Sequence, residues 1–220
     1  MGILHTHGWK WREAERAFTR AIELDPSYPT AHHWYSIMLE AEARFEEAVV
    51  EARKAFDLDP LSSIIQVNVA FRLINAGFEA EGMEHLERTV ALDESFDAGY
   101  FFLGMGYLSA GRYEEAVRAH EKGIWTGALG AALARSGREQ EARQIFARLE
   151  RDATERYVSL VEWAFYYDGM GELDRTFDYL EKAYEVGDGW LAIMRIIKFS
   201  DDFYADPRYR ELMERIGLPP

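Results

Sequence analysis

Residues Tyr100 to Ala119 read YFFLGMGYLSAGRYEEAVRA, and this stretch decides the fold. Its first half sets Leu103, Gly104 and Tyr107 at helical spacing. Gly111 interrupts, and a second helical run opens at Tyr113 with Ala116 inside it. The pattern is a helix, a tight turn and an antiparallel second helix. Small residues, Gly104 and Ala116, stand where the two helices must touch. Leu103, Tyr107 and Tyr113 fill the space beside them. One such hairpin cannot bury its apolar face alone, so it requires neighbours of its own kind.

Those neighbours are present. Ala-Ile-Glu-Leu-Asp-Pro ends at Pro26, Ala-Phe-Asp-Leu-Asp-Pro at Pro60 and Thr-Val-Ala-Leu-Asp-Glu at Glu94, at a constant spacing of 34 residues. The second helices align as WREAERAFTRAIEL from Trp11, FEEAVVEARKAFDL from Phe45 and YEEAVRAHEKGI from Tyr113. A weaker copy, EAEGMEHLERTVAL from Glu79, has Gly82 and Thr89 where the others carry alanine. Glycine inside a helix costs about 1 kcal/mol relative to alanine. That hairpin should be locally softer, unless Gly82 admits a close helix approach.

The period breaks once. Gly111 and Gly137 are 26 residues apart, and Gly137 to Gly171 returns to 34. Either a linker has been shortened or a loop is missing between Ile124 and Trp125. The second reading is favoured, because two antiparallel helices need room to turn. Trp125 to Arg135, with Gly130 at the crossing, pairs with a helix carrying Ala142 and Phe146. A further hairpin holds Trp163, Ala164 and Tyr167, then Leu180, Ala183 and Tyr184. The expected division is an array over residues 1–186, in units 1–26, 29–60, 63–94, 97–124, 125–150 and 157–186. Capping helices follow over 187–220. There, Asp188 caps a short helix, and Asp206-Pro207 opens the last one. These elements should cover the open end of the array. The first unit has only Met1 to His7 for its first helix, which reads as an excised module or a truncated array.

Composition narrows the function. The chain has 220 residues, 48% of them hydrophobic, enough for a sizeable core. Acidic residues number 39 against 25 basic, a formal charge of -14. Nucleic-acid binders present basic faces that replace phosphate counterions, so nucleic acid is not an expected partner, nor is an anionic membrane. The absence of cysteine removes disulfides, thiolate metal sites and cysteine nucleophiles. No apolar run approaches the roughly 18 residues that span a bilayer. The N-terminus lacks the features of a signal peptide. The cytoplasm is the expected location.

Leu103-Gly104, Tyr107, Gly111-x-Tyr113, Ala116 and the Leu58-x-Pro60 type of ending resemble the tetratricopeptide repeat family over nearly all of the chain up to Val186. The resemblance implies an all-α fold: a right-handed superhelical α-α solenoid of helix hairpins with C-terminal capping helices. It also implies that first helices line a concave groove that binds peptides of partner proteins. Residues 31–64 and the tail DPRYRELMERIGLP further resemble the C-terminal repeat regions of large bacterial regulators. That likeness would make the chain a regulatory or sensory arm of a signalling or transcription-regulating protein. The leading expectation is a non-enzymatic protein–protein interaction scaffold.

The groove candidates, on first helices, are His33, Trp34, Ile37, Asn68, Phe71, Phe101, Phe102 and Met105. Aromatic anchors of this kind are what peptide hot spots use. A carboxylate clamp of the type known in the family would find only Asn68 in register. His5, His7, His32 and His33 suggest a metal, but adjacent His32 and His33 point to different sides of a helix. No H-E-x-x-H spacing completes a site, so neither metal nor cofactor is expected. Glu46-Glu47 and Glu114-Glu115 open helices, where carboxylates favour the positive end of the helix dipole; catalysis is not expected. Trp11 reads as the bulky residue that opens the second helix, as Phe45 and Tyr113 do, while Trp9, exposed beside the shortened first unit, offers an apolar end suited to self-association.

Overall fold

A computed structural model describes residues 10–220. Expectations resting on His5, His7 and Trp9 fall outside them. The described residues form thirteen α-helices and one 3-10 helix, with no strand. In chain order the helices are α1 Trp11–Leu24, α2 Pro29–Ala41, α3 Phe45–Leu58, α4 Ser63–Asn75 and α5 Glu79–Leu92. They continue as α6 Asp97–Ser109, α7 Tyr113–His120, α8 Thr126–Arg135, α9 Glu139–Glu155, α10 Leu160–Gly169 and α11 Leu173–Val186. The 3-10 helix Gly189–Ile196, α12 Asp201–Ala205 and α13 Pro207–Arg215 complete the chain. Helices pair as consecutive antiparallel hairpins, and each hairpin stacks on the next to build the superhelix.

Hairpins turn on residues in the left-handed region. Gly77, Gly111, Gly137 and Gly171 take φ from 69° to 91°. Glycine enters that region without the Cβ clash that penalises other residues. One period before Gly77 the same position is held by Ala43, at φ 59°. An L-residue there costs roughly 1 kcal/mol or more.

Glycines also decide how closely helices pack. A Cβ on Gly82 would stand 2.5 Å from the Ala70 carbonyl oxygen. The third hairpin therefore uses the close approach that the sequence left open. A Cβ on Gly130 would meet Tyr166 at 2.5 Å, and one on Gly104 would meet His120 Nε2 at 2.5 Å. His120 thus occupies the room that the missing Gly104 side chain leaves.

The 26-residue interval is absorbed by a short helix. α7 stops at His120 after 8 residues. The amides of Glu121, Lys122 and Gly123 then bond back to Val117, Ala119 and His120 carbonyls at 2.9–3.1 Å. The chain turns within residues 121–125 and passes directly from one hairpin to the next.

Two kinds of helix result. The outer ones bury a stripe: α1 buries Trp11, Ala14 and Phe18, and α9 only Ala142 and Leu149. The inner ones are buried on every side. Ten consecutive residues of α4, Ile65 to Ile74, are buried, as are eight of α10, Val161 to Asp168. Outer helices cover one flank of that inner layer. A helix buried all round needs cover on its other flank as well.

Part of that cover is the chain's own tail. After α11 the backbone reverses at Gly187, φ 68°. The 3-10 helix then crosses the inner side of the superhelix and packs on α2. α12 and α13 return to the last hairpin. There Phe199 meets Phe165 edge to face at 5.4 Å and Phe203 stacks on Phe177 at 5.0 Å. Ser200 donates from Oγ and N to Asp168, at 2.6 and 2.9 Å. Beyond α13, the Ile216 carbonyl accepts a 2.7 Å bond from Trp11 Nε1. The last helix thereby meets the first, and the array closes on itself. The tail thus covers the last hairpin and also fills part of the hollow.

Candidate functional site: the filled concave face

The eight groove candidates lie on the inner helices α2, α4 and α6. An open groove would leave them facing water. Six of them, His33, Ile37, Asn68, Phe71, Phe101 and Met105, are buried. Trp34 and Phe102 are half-buried against the same core. Several pack on one another: Phe71 against Phe102 at 5.6 Å, Phe101 against Phe102 at 5.3 Å, and His33 against Trp34 at 5.3 Å.

The tail supplies what covers part of them. Trp190 of the 3-10 helix meets Trp125 at 4.3 Å and Phe101 at 6.0 Å between ring centres. Phe101 and Trp125 are themselves 4.9 Å apart. Three rings from three separate elements therefore make one cluster. Aromatic contacts of this geometry add about 1 kcal/mol each beyond area burial.

Beside that cluster runs a buried polar row. Asn68 Nδ2 donates to Ser36 Oγ at 2.8 Å, and Arg72 donates to Asn68 Oδ1 at 2.8 Å. Arg72 also pairs with Glu40; the two side chains are 1% and 2% exposed. Asn75 Nδ2 completes the row with a 2.6 Å bond to Glu40 Oε1. Burial pushes the Glu40 carboxyl up, and Arg72 opposes the push. Burial likewise lowers Arg72, and its Nε has no hydrogen-bond partner. Buried ion pairs are costly unless every donor is satisfied. Asn68 is therefore spent on Ser36 and Arg72 within the fold, and no carboxylate clamp stands ready around it.

The row touches the tail at its far end. Arg195 Nε donates to the Ala41 carbonyl at 3.0 Å, at the end of α2. The Arg195 carbonyl lies 3.5 Å from Asn75 Nδ2. A cation at a helix C-terminus satisfies free carbonyls and sits well with the dipole. Next to this contact a cleft of about 350 Å³ opens, lined by Asn75, Arg195, Lys198 and Tyr204 among others.

The histidines do other work. His32 Nδ1 is 2.6 Å from Glu51 Oε2, and its Nε2 is 3.0 Å from the Pro26 carbonyl. Both nitrogens are engaged in tying α2 to its neighbours. Burial, aided by Arg72, lowers His33 to about 4. Burial lowers His120 to about 3. Among the described residues no group of three His, Asp or Glu side chains could hold a metal ion. Glu47 forms an exposed ion pair with Arg44, and Glu115 one with Arg112, as helix-start carboxylates do.

The residues that shape this face were not among the candidates: Ser36, Glu40, Arg72, Asn75, Trp125, Trp190 and Arg195. One signal pointed to them. SIIQVNVAFRLIN of α4 is apolar on most of its circumference and sets Asn68, Arg72 and Asn75 on one stripe, so both its apolar faces and that stripe require cover. WLAIMR follows a Gly-Asp-Gly break outside the repeat phase and is the apolar segment free to provide it.

Comparison with known proteins agrees with this architecture. No protein-family model matches the chain. A small glutamine-rich tetratricopeptide repeat-containing protein 2 from Mycosarcoma maydis is 33% identical over 78 residues, 35% of this chain and 22% of that protein. The chain spans 22% to 27% of the length of the curated relatives it matches. Among solved structures, the anaphase-promoting-complex hetero-tetramer Cut9-Hcn1 superposes with a TM-score of 0.63 at 13% identity, over 97% of this chain and 47% of that one. A tetratricopeptide repeat protein from Parabacteroides merdae superposes with a TM-score of 0.54 at 14% identity, over 98% and 89%. Among the described residues no helix is long and apolar enough to cross a membrane. Phased hairpins, left-handed turn residues and these superpositions agree on one conclusion: the chain has the tetratricopeptide-repeat superhelical fold.

Proposed function

We propose that the chain is a non-enzymatic protein-interaction module whose concave face takes up a short segment of a partner protein. Tetratricopeptide-type proteins generally mediate contacts between proteins. One observation carries the finer reading: the inner face already holds a peptide segment, the 3-10 helix, through a ring cluster and an arginine. Side chains that hold such a segment in cis have the chemistry to hold one in trans.

Trp34 and Phe102 are the two candidates on this face that remain half-exposed. A peptide array probed with the chain, and with Trp34→Ala and Phe102→Ala, tests the proposal. Bound peptides should lose at least tenfold in affinity with either variant, the loss expected of an aromatic hot spot. Binding that both variants leave unchanged would place the partner site elsewhere.

A further inference from the structure

The crossing segment is anchored like a strap, at both ends, to the last hairpin. At its entry, Asp188 accepts bonds from Ser159 Oγ at 2.7 Å, Leu160 N at 2.9 Å and Tyr157 Oη at 3.0 Å. At its exit, Phe199 and Ser200 are fixed on α10. Between these anchors the strap reaches the first hairpins through Arg195 and the middle ones through Trp190. Those contacts are one ring in an aromatic pocket, one guanidinium shared between the Ala41 and Pro219 carbonyls, one backbone carbonyl facing Asn75, and the side chains of Leu191, Ala192 and Met194 buried in the main core. None is covalent or a sheet ladder. A separate peptide would be held in the same manner.

The closed arrangement is also imperfect. The 3-10 geometry makes poorer hydrogen bonds than an α-helix and is seldom extended over 8 residues. In the adjoining polar row, Arg72 Nε goes without a partner although its side chain is fully buried. Gly187 and Gly189 flank the entry anchor, so the backbone on either side of Asp188 carries no side chain.

We infer that residues 189–196 are a built-in competitor for the partner's site, and that the partner segment carries a large aromatic residue with an arginine five positions later. This rests on the reading of the concave face as the binding surface. The aromatic residue takes the place of Trp190 between Phe101 and Trp125, and the arginine takes that of Arg195 on Ala41. The chain's charge of -14 favours a basic segment over an acidic one. Because the strap occupies the site, only the strap-out fraction binds, and apparent affinity falls by that fraction.

The probe is a labelled synthetic peptide of residues 188–197 added to the full chain. Wild type should bind it weakly. Arg195→Ala, which removes the strap's bonds to Ala41 and Pro219 and so raises its strap-out fraction without altering the aromatic pocket, should bind it at least tenfold more tightly. The same peptide with alanine for its tryptophan and arginine should not bind either chain. A second measurement needs no variant: excess peptide should speed amide exchange of residues 189–196 in wild type and leave residues 199–203 unchanged. If Arg195→Ala gains no affinity and strap exchange does not respond, the inference falls. It falls also if light scattering shows the released strap exchanging between two copies, since the occupant would then be a second chain. If array peptides depend on Trp34 and Phe102 yet carry no aromatic-to-arginine spacing and leave strap exchange unchanged, the competitor reading fails while the concave-face reading survives.

Discussion

At the scale of residues, His120 shows how a vacancy and a side chain specify each other. Its ring fills the space that Gly104 leaves, and both of its nitrogens are buried without partners. Charging it there would place a bare cation in the core, so burial holds it at about 3. His33 is held at about 4. The unfolded chain protonates both near 6.5. Between pH 6.5 and 4 the unfolded state therefore binds more protons, and stability falls as pH falls. Glu162 acts in the opposite sense. Burial raises it to about 7, so its contribution is lost as pH rises from its unfolded value of about 4.3 toward 7. Replacing His120 by leucine isolates one contribution. The acid limb of thermal stability between pH 6.5 and 4.5 should flatten by roughly 1 kcal/mol per pH unit relative to wild type. An unchanged slope in circular-dichroism melts would show that His120 is already charged in the fold.

At the scale of elements, burial divides inner from outer helices, and local stability should follow it. α4 and α10 lose almost all solvent contact, whereas α1 and α9 keep one face wet. Amides of α4 should exchange with the slowest, globally limited rates. The exposed face of α9 should exchange at least tenfold faster, through local opening. Hydrogen-exchange mass spectrometry checks this; uniform rates across both layers would contradict the layering. Most of the hairpin architecture was legible in the residues themselves. Pro26, Pro60 and Glu94 marked the period, and Gly111, Gly137 and Gly171 marked the turns, because each turn needs a left-handed residue. Ala43 was not legible as a turn residue, since it takes that conformation under protest from its own Cβ. The short α7 was not legible either: its sequence continues helically through Lys122, whereas the helix ends at His120 and residues 121–123 form tight turns. The filling of the inner face was not legible. Helical phase shows which helices line the hollow, but the Trp190 and Trp125 pair spans 65 residues outside any period.

At the scale of the molecule, closure replaces an open series of nearest-neighbour contacts. In open arrays stability is a sum of units and their interfaces, and the ends fray first. Here the bond from Trp11 to Ile216 and the strap on α2 join the two ends. Wild type should unfold in one transition, with tryptophan fluorescence and far-ultraviolet circular dichroism coinciding. Trp11→Phe removes the 2.7 Å bond while keeping a ring in place; a lost buried hydrogen bond costs about 1–3 kcal/mol. Combined with Arg195→Ala it should separate the two probes into distinct midpoints. Coincident transitions in that double variant would mean that closure contributes nothing to cooperativity.

The meeting of α1 with the turn after α13 carries one more consequence. Trp11 stands beside Ile216 and Gly217, so a short polar linker joining residue 220 to residue 10 would span little distance. New ends cut between Gly123 and Ile124, where α7 has already stopped, would sever no helix. Such a circularly permuted chain would keep the hairpins and the strap while reversing which of them leaves the ribosome first, and so would separate the order of synthesis from the order of assembly.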